Sequence, residues 1–331
     1  MLNCALVIEH STIGKIGEMG PMEKEKIEQY IDVARRYYEQ GQNQEQISKA
    51  LGISRPSISR ILQYCKDKKI VQVKIVNPFV DVQDNERSIA QKYNLNKVLI
   101  AHASNEGDEE ILQAISSKAA SYLNDNICDG DIMGVCWGRT LYTIAKLLTP
   151  RMVKGVKIVQ LKGGVSYSMY QTHAKEIVDI FTQKFNAMGF YLPLPTLFSD
   201  LKTKQIVEKD PFVQDILDLG RSANIALFTV GGVNSDSILF KLGYVSARQR
   251  RLLERQAVGD IVSRLINSQG KICSKELDDR TNGIKLDELK AKSQRILVAG
   301  GEAKWPAIEA ALTGGYANIL ITDQFTAHHL L

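Results

Sequence analysis

Residues 44–63 read QEQISKALGISRPSISRILQ and determine how the N-terminal part of the chain folds. They contain two short helical patterns, 44–51 and 55–67, whose apolar residues can pack against each other. Gly52 stands between the two patterns, where a tight turn between helices often needs a positive φ. Ser54 is placed to cap the second helix through its hydroxyl. The stretch therefore predicts a helix-turn-helix.

The exposed side of the second predicted helix carries polar and basic side chains. Arginine can form two hydrogen bonds to a guanine edge, whereas serine more often holds phosphates. The surrounding segment 22–75 contains eleven Lys/Arg against seven Asp/Glu, which is the charge pattern of nucleic-acid binding. The alternative is an ordinary helical hairpin whose basic residues are only solvated. We expect contacts to DNA from Gln44, Arg55, Ser57, Ser59 and Arg60.

The chain is expected to divide into four parts that differ in periodicity. Residues 1–21 have no period and contain several glycines, so we predict a mobile tail. An all-α, winged DNA-binding domain follows over 22–76, with a third helix over 24–40 and the alternating strand 70–76 as its wing. Asn77-Pro78 breaks that strand. We place a linker at 77–85 and a second, larger domain at 86–331.

The larger domain alternates short apolar strands with amphipathic stretches such as 108–123 and 303–313. This alternation predicts an α/β fold with a mainly parallel sheet that is covered on both faces. Ligands in such sheets bind at the carboxyl ends of the strands. The predicted strands are 98–103, 131–137, 156–162, 224–230, 271–274, 295–301 and 318–323.

Glycine-rich turns follow several of the predicted strands. Glycine lets backbone N–H groups approach an anion, and the N-terminus of a helix after such a turn favours phosphate. No turn matches a Walker A loop or a dinucleotide-binding fingerprint, so we expect no nucleotide cofactor. Together the turns predict a ligand that carries a phosphate. They are GVCWGRTL (134–141), LKGGVS (161–166), TVGGV (229–233) and VAGGEAKWPAI (298–308).

The bulk composition argues against several other protein classes. Hydrophobic residues make up 44% and charged residues 24% of the 331 residues, which is ordinary for a soluble protein. No apolar run approaches the roughly 18–20 residues that cross a bilayer, and the N-terminus lacks the pattern of a signal peptide. The five cysteines are scattered and the histidines lack metal-ligand spacing. We expect a cytoplasmic protein with no membrane partner, no metal and no cofactor.

Taken in order, these motifs resemble the SorC-type (sorbitol-operon regulator) family of bacterial transcriptional regulators. The resemblance runs from residue 22 to residue 331, and long blocks such as VKGVKIVQLKGGVS (153–166) are most similar to the Gram-positive repressors of deoxyribonucleoside operons. The family implies an effector domain that is related in fold to sugar-phosphate isomerases but performs no turnover. It also implies operator DNA as a partner and a homo-oligomer, usually a tetramer.

The resemblance further implies where the effector binds. In the deoxyribonucleoside subfamily the effector is deoxyribose-5-phosphate, held as a Schiff base by a lysine that matches Lys162. A lysine in a partly desolvated pocket can attack an open-chain aldehyde, although strand-end lysines are more often phosphate ligands or solvated charges. Arg139 could equally be a solvated charge and Asp260 a helix cap. The other expected effector contacts are Gly138, Arg139, Thr140, Gly163, Gly164, Gly231, Asp260, Gly301 and Lys304.

Two further functions stay open at this point. The same scaffold could sense another phosphorylated sugar, or the chain could be a true sugar-phosphate isomerase or deaminase. An isomerase needs a general base that moves protons between adjacent carbons, and the strand-end turns offer no candidate except Asp260. An enzyme would also leave the helix-turn-helix unexplained. The favoured prediction is a non-enzymatic regulator, most simply a repressor, that is released or remodelled by a sugar phosphate.

Overall fold

The computed structural model describes residues 21–68, 70–71, 78–164, 172–233, 240 and 245–331. Contacts divide the chain into two compact units, Met1–Pro78 and Phe79–Leu331. The predicted N-terminal tail, except Pro21, and most of the predicted wing strand lie outside the described residues.

The first unit contains three helices, α1 (Pro21–Tyr38), α2 (Gln44–Leu51) and α3 (Arg55–Asp67). Asn43 and Gln46 form a capping box at the start of α2. Gly52 ends that helix at φ 65°, a left-handed conformation that glycine adopts without steric cost. Ser54 caps α3, and a proline lies in its first turn. The turn and the caps predicted from the sequence are therefore confirmed.

The core of the first unit is small and draws on all three helices. Val33 and Ala34 of α1 pack with Ile47 of α2 and with the buried face of α3. Val33 and Ala34 are buried, whereas Ile27 and Ile31 are half-buried. Only part of the apolar face of α1 therefore lies deep in the core. The α3 residues in this core are Ile58, Ile61, Leu62 and Cys65.

The segment predicted as a linker is helical instead. Helix α4 spans Pro78–Tyr93 and includes nearly all of residues 77–85. The predicted linker followed from the tendency of proline to interrupt a strand. The fixed φ of proline also suits the first position of a helix, and Pro78 occupies that position. Ile89 of α4 is fully buried and packs with Leu95 and Val98. Residues 79–85 thus lie in the second unit rather than between the units.

The second unit is built on a seven-stranded sheet in which every described pair of neighbours is parallel. Its strands are β1 (Lys97–Ala101), β2 (Ile132–Val135), β3 (Lys157–Gln160), β4 (Met188–Phe190), β5 (Ile225–Phe228), β9 (Gln294–Val298) and β10 (Ile319–Asp323). They lie in the order β1-β10-β9-β5-β2-β3-β4 across the sheet. The fold is therefore α/β with a mainly parallel sheet, as predicted.

Helices cover both faces of this sheet and bury a core on each. One core contains α5 (Asp108–Asn126), α6 (Arg139–Leu147) and α7 (Ala174–Phe185). The opposite core contains α4 with α13 (Trp305–Thr313) and α14 (Gln324–Leu330), and α9 (Pro211–Ser222) forms a smaller cluster with β3. Burial on both faces explains why the strands are continuously apolar.

A second sheet of three antiparallel strands was not predicted. It consists of β6 (Val230–Gly232), β7 (Gly259–Ile261) and β8 (Arg264–Ile266). Six of the seven predicted strands are present, but the one at 271–274 forms only an isolated bridge between Ile272 and Ile266. The remaining helices are α8 (Leu201–Val207), α10 (Ala247–Gln256), α11 (Lys275–Arg280) and α12 (Leu286–Lys290), with a 3₁₀ turn at Glu302–Lys304.

Candidate effector site and candidate DNA-binding helix

The candidate effector site lies at the carboxyl ends of the central strands. The chain continues from β2 to β3 on one side of the sheet and from β5 to β9 on the other, so the adjacent strands β2 and β5 flank a switch point. Crevices outside the carboxyl ends of strands at such a point bind ligands. The loop after β2 contains Trp137, and Lys162 follows β3 by two residues.

Lys162 is buried although it carries a charged group. Its side chain is only 7% exposed, and its backbone forms an antiparallel bridge with Gly283. The Nζ atom lies 3.6 Å from the centroid of the Trp137 ring and donates a hydrogen bond of 3.1 Å to Ser263 Oγ. An ammonium over an indole face is attracted by the ring quadrupole. The sequence-predicted lysine is therefore buried, and its nitrogen has two defined partners.

Trp137 is fixed in place by the loop that it helps to form. Its Nε1 donates a hydrogen bond of 2.7 Å to the Gly163 carbonyl, which also accepts one of 2.8 Å from Thr196 Oγ1. A Cβ atom at Gly163 would lie 2.5 Å from the carbonyl oxygens of Leu194 and Pro195. Gly163 is thus needed for close packing of the residue after Lys162 against residues 194–195.

The β7–β8 hairpin presents Ser263 to Lys162 through an unusual turn. Its two central residues, Val262 and Ser263, have φ values of 46° and 68°. Two-residue hairpins of this kind need positive φ at both positions, which costs most for a β-branched residue such as Val262. Asp260 Oδ2 accepts a 2.9 Å hydrogen bond from the Ser263 N–H and so holds the turn. Backbone strain of this kind is typical of functional sites.

Asp260 lies against Gly231 on the neighbouring strand. The two residues are paired across β6 and β7, and a Cβ atom at Gly231 would collide with Asp260 Oδ1. Burial raises the pKa of the Asp260 carboxyl above its usual range, while the positive charges of Lys162 and Lys304 act in the opposite direction. Gly231 therefore belongs to the site because it leaves room for a carboxyl group.

Lys304 and Arg139 bring further positive charge to the same region. Burial and the nearby Arg139 lower the pKa of Lys304, and the carboxylates of Asp108 and Asp260 partly restore it. Lys304 is half-buried in the 3₁₀ turn after β9, whereas Arg139 is exposed at the start of α6. A partly buried lysine next to a second positive charge forms a natural anion site.

Two of the predicted phosphate contacts are occupied by other partners. The Gly138 N–H donates to the Thr172 carbonyl at 3.2 Å. The Gly301 N–H donates to Thr326 Oγ1 at 2.8 Å and to Asp323 Oδ2 at 3.2 Å. In this structure both amides are therefore already hydrogen-bonded within the protein, and both glycines have a positive φ.

The other predicted residues near these turns have distinct positions. Thr140 is buried in the first turn of α6, a helix for which Gly138 provides no side-chain cap. The first-turn N–H groups of such a helix can meet an anion. Gly164 is half-buried and forms a bridge with Pro195, so it packs beside Gly163.

Sequence reasoning missed Trp137 and Ser263, the two groups that contact the lysine nitrogen. Trp137 lies inside the motif GVCWGRTL, and an aromatic residue between a buried strand and a helix was a usable signal. Ser263 had no such signal, because the turn that carries it follows a three-residue strand. Cys136 is also buried here, and burial raises the pKa of its thiol to about 11, so it stays protonated at neutral pH.

Helix α3 of the first unit presents the predicted DNA-contacting arginines to solvent. Arg55, Ser59 and Arg60 are exposed, and Arg60 lies opposite the buried face formed by Ile58 and Ile61. Gln63 lies one helical turn after Arg60 on α3 and is also exposed, and its Nε2 donates a 2.9 Å hydrogen bond to Asp67. Gln63 was not predicted, although it continues the same exposed face.

Two other predicted DNA contacts are less exposed than the arginines. Ser57 is half-buried, and its hydroxyl shares a 2.9 Å hydrogen bond with the hydroxyl of the capping residue Ser54. Its position in the first turn brings this hydroxyl back to the cap. Gln44 begins α2 and is half-buried.

Within the described part of the chain, no three His, Cys, Asp or Glu side chains are grouped so that they could hold a metal ion. None of the helices described is both long and apolar enough to span a bilayer.

Comparison with known proteins identifies the family. Residues 77–331 match the Sugar-bind family model, which describes a sugar-binding domain. The chain is 44% identical over 310 residues to the deoxyribonucleoside regulator of Bacillus subtilis, covering 94% of this chain and 99% of that protein. The chain belongs to the SorC-type family of transcriptional regulators with a sugar-binding domain.

The sorbitol operon regulator SorC supports membership of the SorC-type family by both its sequence and its structure. The chain is 27% identical over 304 residues to the sorbitol operon regulator of Klebsiella pneumoniae, covering 91% of this chain and 96% of that protein. The crystal structure of full-length SorC from Klebsiella pneumoniae superposes with a TM-score of 0.70 at 26% identity, covering 92% of this chain and 98% of that chain. The similarity to SorC-type regulators therefore extends over both units.

Proposed function

We propose that this SorC-type regulator is a DNA-binding repressor of a deoxyribonucleoside catabolic operon, and that deoxyribose-5-phosphate releases it from its operator. The observation that carries the proposal is the position of Lys162, whose buried Nζ atom lies between the Trp137 ring and Ser263 Oγ. The 44% identity to the deoxyribonucleoside regulator supports this effector. The relatives are named regulators, which supports a non-enzymatic role.

The surroundings of Lys162 suit a Schiff base to a sugar aldehyde. The neutral amine attacks the aldehyde carbon, and loss of water leaves a protonated imine on the same nitrogen. That iminium is a cation, as the ammonium was, so the Trp137 face and the Asp260 carboxylate can stabilise both states. The site can therefore exchange a free lysine for a covalently bound sugar without losing its charge balance.

The phosphate of the sugar requires a cationic partner at the edge of the site. Lys304 is half-buried beside Arg139, and the first turn of α6 begins at Arg139. Charge-assisted hydrogen bonds from these side chains, together with N–H groups of that turn, would hold the phosphate. We assign this role to Lys304, Arg139 and Thr140.

The DNA contacts are assigned to the first unit. Arg60 and Arg55 on the exposed side of α3 are the residues for base or phosphate recognition, and Ser59 and Gln44 are phosphate contacts. Ser57 contributes by holding the cap of α3 with Ser54. We further propose that the protein acts in the cytoplasm as a homotetramer, because one small module makes few phosphate contacts and linked copies raise the effective concentration.

A different phosphorylated sugar is the second candidate effector. Lys162 could bind a sugar phosphate only through its charge, and the similarity to the sorbitol operon regulator favours such a ligand. Substitution by arginine separates the two possibilities, because a guanidinium keeps the charge but is not a nucleophile.

One assay tests both halves of the proposal. Fluorescence anisotropy with an operator duplex, obtained by selection from random sequences, measures DNA affinity with and without deoxyribose-5-phosphate. Arg60→Ala should weaken DNA binding by about 1–3 kcal/mol if Arg60 contacts a base, whereas Lys162→Arg should bind DNA normally. Lys162→Arg should no longer respond to the sugar phosphate.

Arg87→Ala serves as the matched control, because Arg87 is an exposed arginine of the second unit that pairs with Asp84. It should retain both DNA binding and the response to effector. Release of Lys162→Arg from DNA by deoxyribose-5-phosphate would show that the lysine acts only through its charge. Unchanged DNA affinity in Arg60→Ala and Arg55→Ala would remove α3 as the recognition helix.

A further inference from the structure

The fold holds the Ser263 hydroxyl at a defined position in the candidate effector site, although the backbone of that turn is strained. Ser263 is buried and lies at φ 68°, next to Val262 at φ 46°. A left-handed conformation is uncommon for any residue with a side chain and is an outlier for a β-branched one. Asp260 and the pairing of β7 with β8 hold the turn in this shape. The position of the hydroxyl is therefore imposed by the fold.

The hydrogen bond between Lys162 and Ser263 has a definite direction. The Lys162 Nζ atom donates to Ser263 Oγ at 3.1 Å. Because the serine oxygen accepts this bond, its own hydrogen is free to be donated to another atom. An effector carbon bonded to Nζ would bring its oxygen close to that hydrogen.

We propose that Ser263 is the proton shuttle for imine formation, passing a proton from the lysine nitrogen to the oxygen of the effector. This inference rests on the proposed function, in which Lys162 forms an imine with a sugar aldehyde. Ser263 contacts the reacting nitrogen directly and is regenerated in each cycle.

Imine formation proceeds through a carbinolamine. The nitrogen lone pair forms a bond to the aldehyde carbon, and the C=O π electrons move to oxygen, giving an ammonium and an alkoxide on one carbon. Ser263 takes a proton from the ammonium and gives its own hydrogen to the alkoxide through a six-membered ring, which yields the neutral carbinolamine. Solvent supplies a second proton to that hydroxyl, which balances the proton that the Lys162 ammonium released to solvent before the attack. The hydroxyl then leaves as water, while the nitrogen lone pair forms the C=N bond. The product is the iminium, and the reverse path releases the aldehyde.

Timed trapping tests the shuttle. The full-length protein is mixed with deoxyribose-5-phosphate and quenched with borohydride at intervals, and the reduced adduct is quantified by intact mass. A positioned proton-transfer group typically contributes roughly 10²–10⁴-fold to a rate. Ser263→Ala should form the adduct at least about 10-fold more slowly, while the final yield stays within about twofold, because a shuttle accelerates both directions.

A buffer experiment separates a shuttle from a purely structural residue. Small buffer acids and bases should restore much of the rate in Ser263→Ala and change the unsubstituted protein little. Ser263→Gly is the companion variant, since glycine favours φ 68° and removes the hydroxyl without adding turn strain. Ser199→Ala, a change at an exposed serine elsewhere, should behave like the unsubstituted protein.

Three results would overturn the shuttle. The first is a normal rate of adduct formation in Ser263→Gly. The second is a slow rate in both variants that no buffer restores, which would make Ser263 a structural residue. The third is the absence of any adduct in the unsubstituted protein, which would contradict the proposed imine itself and not Ser263 alone.

Discussion

Asp260 shows how a single residue in the site affects stability as well as binding. Burial raises the pKa of its carboxyl, so the folded protein holds this proton at pH values where the unfolded chain has lost it. The unfolded state then binds fewer protons, and stability falls as pH rises from the usual carboxyl pKa through the raised one. The charged carboxylate is thus costly at this buried position, although the positive charge of Lys162, as ammonium or as iminium, offsets part of that cost.

Asp260→Asn should therefore stabilise the second unit at neutral pH. We expect the free energy of unfolding to rise by roughly 1 kcal/mol, an ordinary size for one substitution, and its fall between acid and neutral pH to diminish. Trp137 and Trp305, the two tryptophans, both lie in the second unit, so urea unfolding followed by tryptophan fluorescence reports on it. Adduct formation should weaken in the same variant.

Asp279→Asn is the control of opposite sign. A hydrogen bond from Lys275 lowers the pKa of Asp279, so its contribution to stability is present above the usual carboxyl pKa and is lost as pH falls. Its removal should not stabilise the protein at neutral pH. Equal changes in the free energy of unfolding for the two substitutions would contradict the assignment of Asp260 as a buried carboxyl group with a raised pKa.

The small antiparallel sheet is the element that turns an ordinary parallel α/β fold into this site. It places Asp260 opposite Gly231 and turns back at Val262 and Ser263. All three strands are only three residues long, and β6 and β7 contain glycine, which weakens any alternating pattern. Sequence reasoning could therefore not find this sheet. The apolar strands of the main sheet were predicted with small errors at their ends, except for the three-residue strand β4.

Other differences have equally local causes. The helix at Pro78–Tyr93 was mistaken for a linker because proline suits both a break and a helix start. Lys162 could be found from the sequence, since it follows a strand within a recognisable motif. Its partners Trp137 and Ser263 come from distant parts of the chain, and only the fold brings them together.

Adjacent glycines in β6 give a prediction at the scale of this element. A Cβ atom at Gly231 would collide with the Asp260 carboxylate, whereas one at Gly232 would have its nearest contact at 3.7 Å, the Ala303 carbonyl. Gly231→Ala should displace Asp260 and lower the affinity for deoxyribose-5-phosphate by roughly 10-fold or more, about 1.4 kcal/mol. Gly232→Ala should stay within about twofold.

Isothermal titration calorimetry of both variants measures this difference. Thermal unfolding of the second unit checks that each variant is folded. Equal affinities for Gly231→Ala and Gly232→Ala would show that the position of Asp260 does not matter for the effector. Each substitution adds one methyl group, so any difference in affinity between the two variants comes from the position of that group.

The whole molecule combines two compact units with different tasks in our proposal. DNA recognition is assigned to the first unit and sugar binding to the second. Binding at one site can change binding at the other only through a coupling free energy, which acts equally in both directions. Operator DNA should therefore weaken effector binding by the same factor by which effector weakens operator binding.

Assembly is expected to supply the DNA affinity. Light scattering of the full-length protein should give at least a dimer, with a tetramer as the expected species, and selected operators should contain inverted half-sites. Each half-site should be recognised through α3 of one copy. A monomer that binds its operator with nanomolar affinity at physiological salt would contradict this prediction.

The most direct test of the central claim is to locate the covalent adduct. The protein is incubated with deoxyribose-5-phosphate, reduced with borohydride, digested and mapped by mass spectrometry, with Lys162→Arg and Lys304→Arg treated in parallel. We predict one reduced sugar phosphate per chain, on the peptide that contains Lys162, absent from Lys162→Arg and still detectable in Lys304→Arg. The absence of an adduct, or an adduct of equal yield on another lysine of Lys162→Arg, would contradict the account.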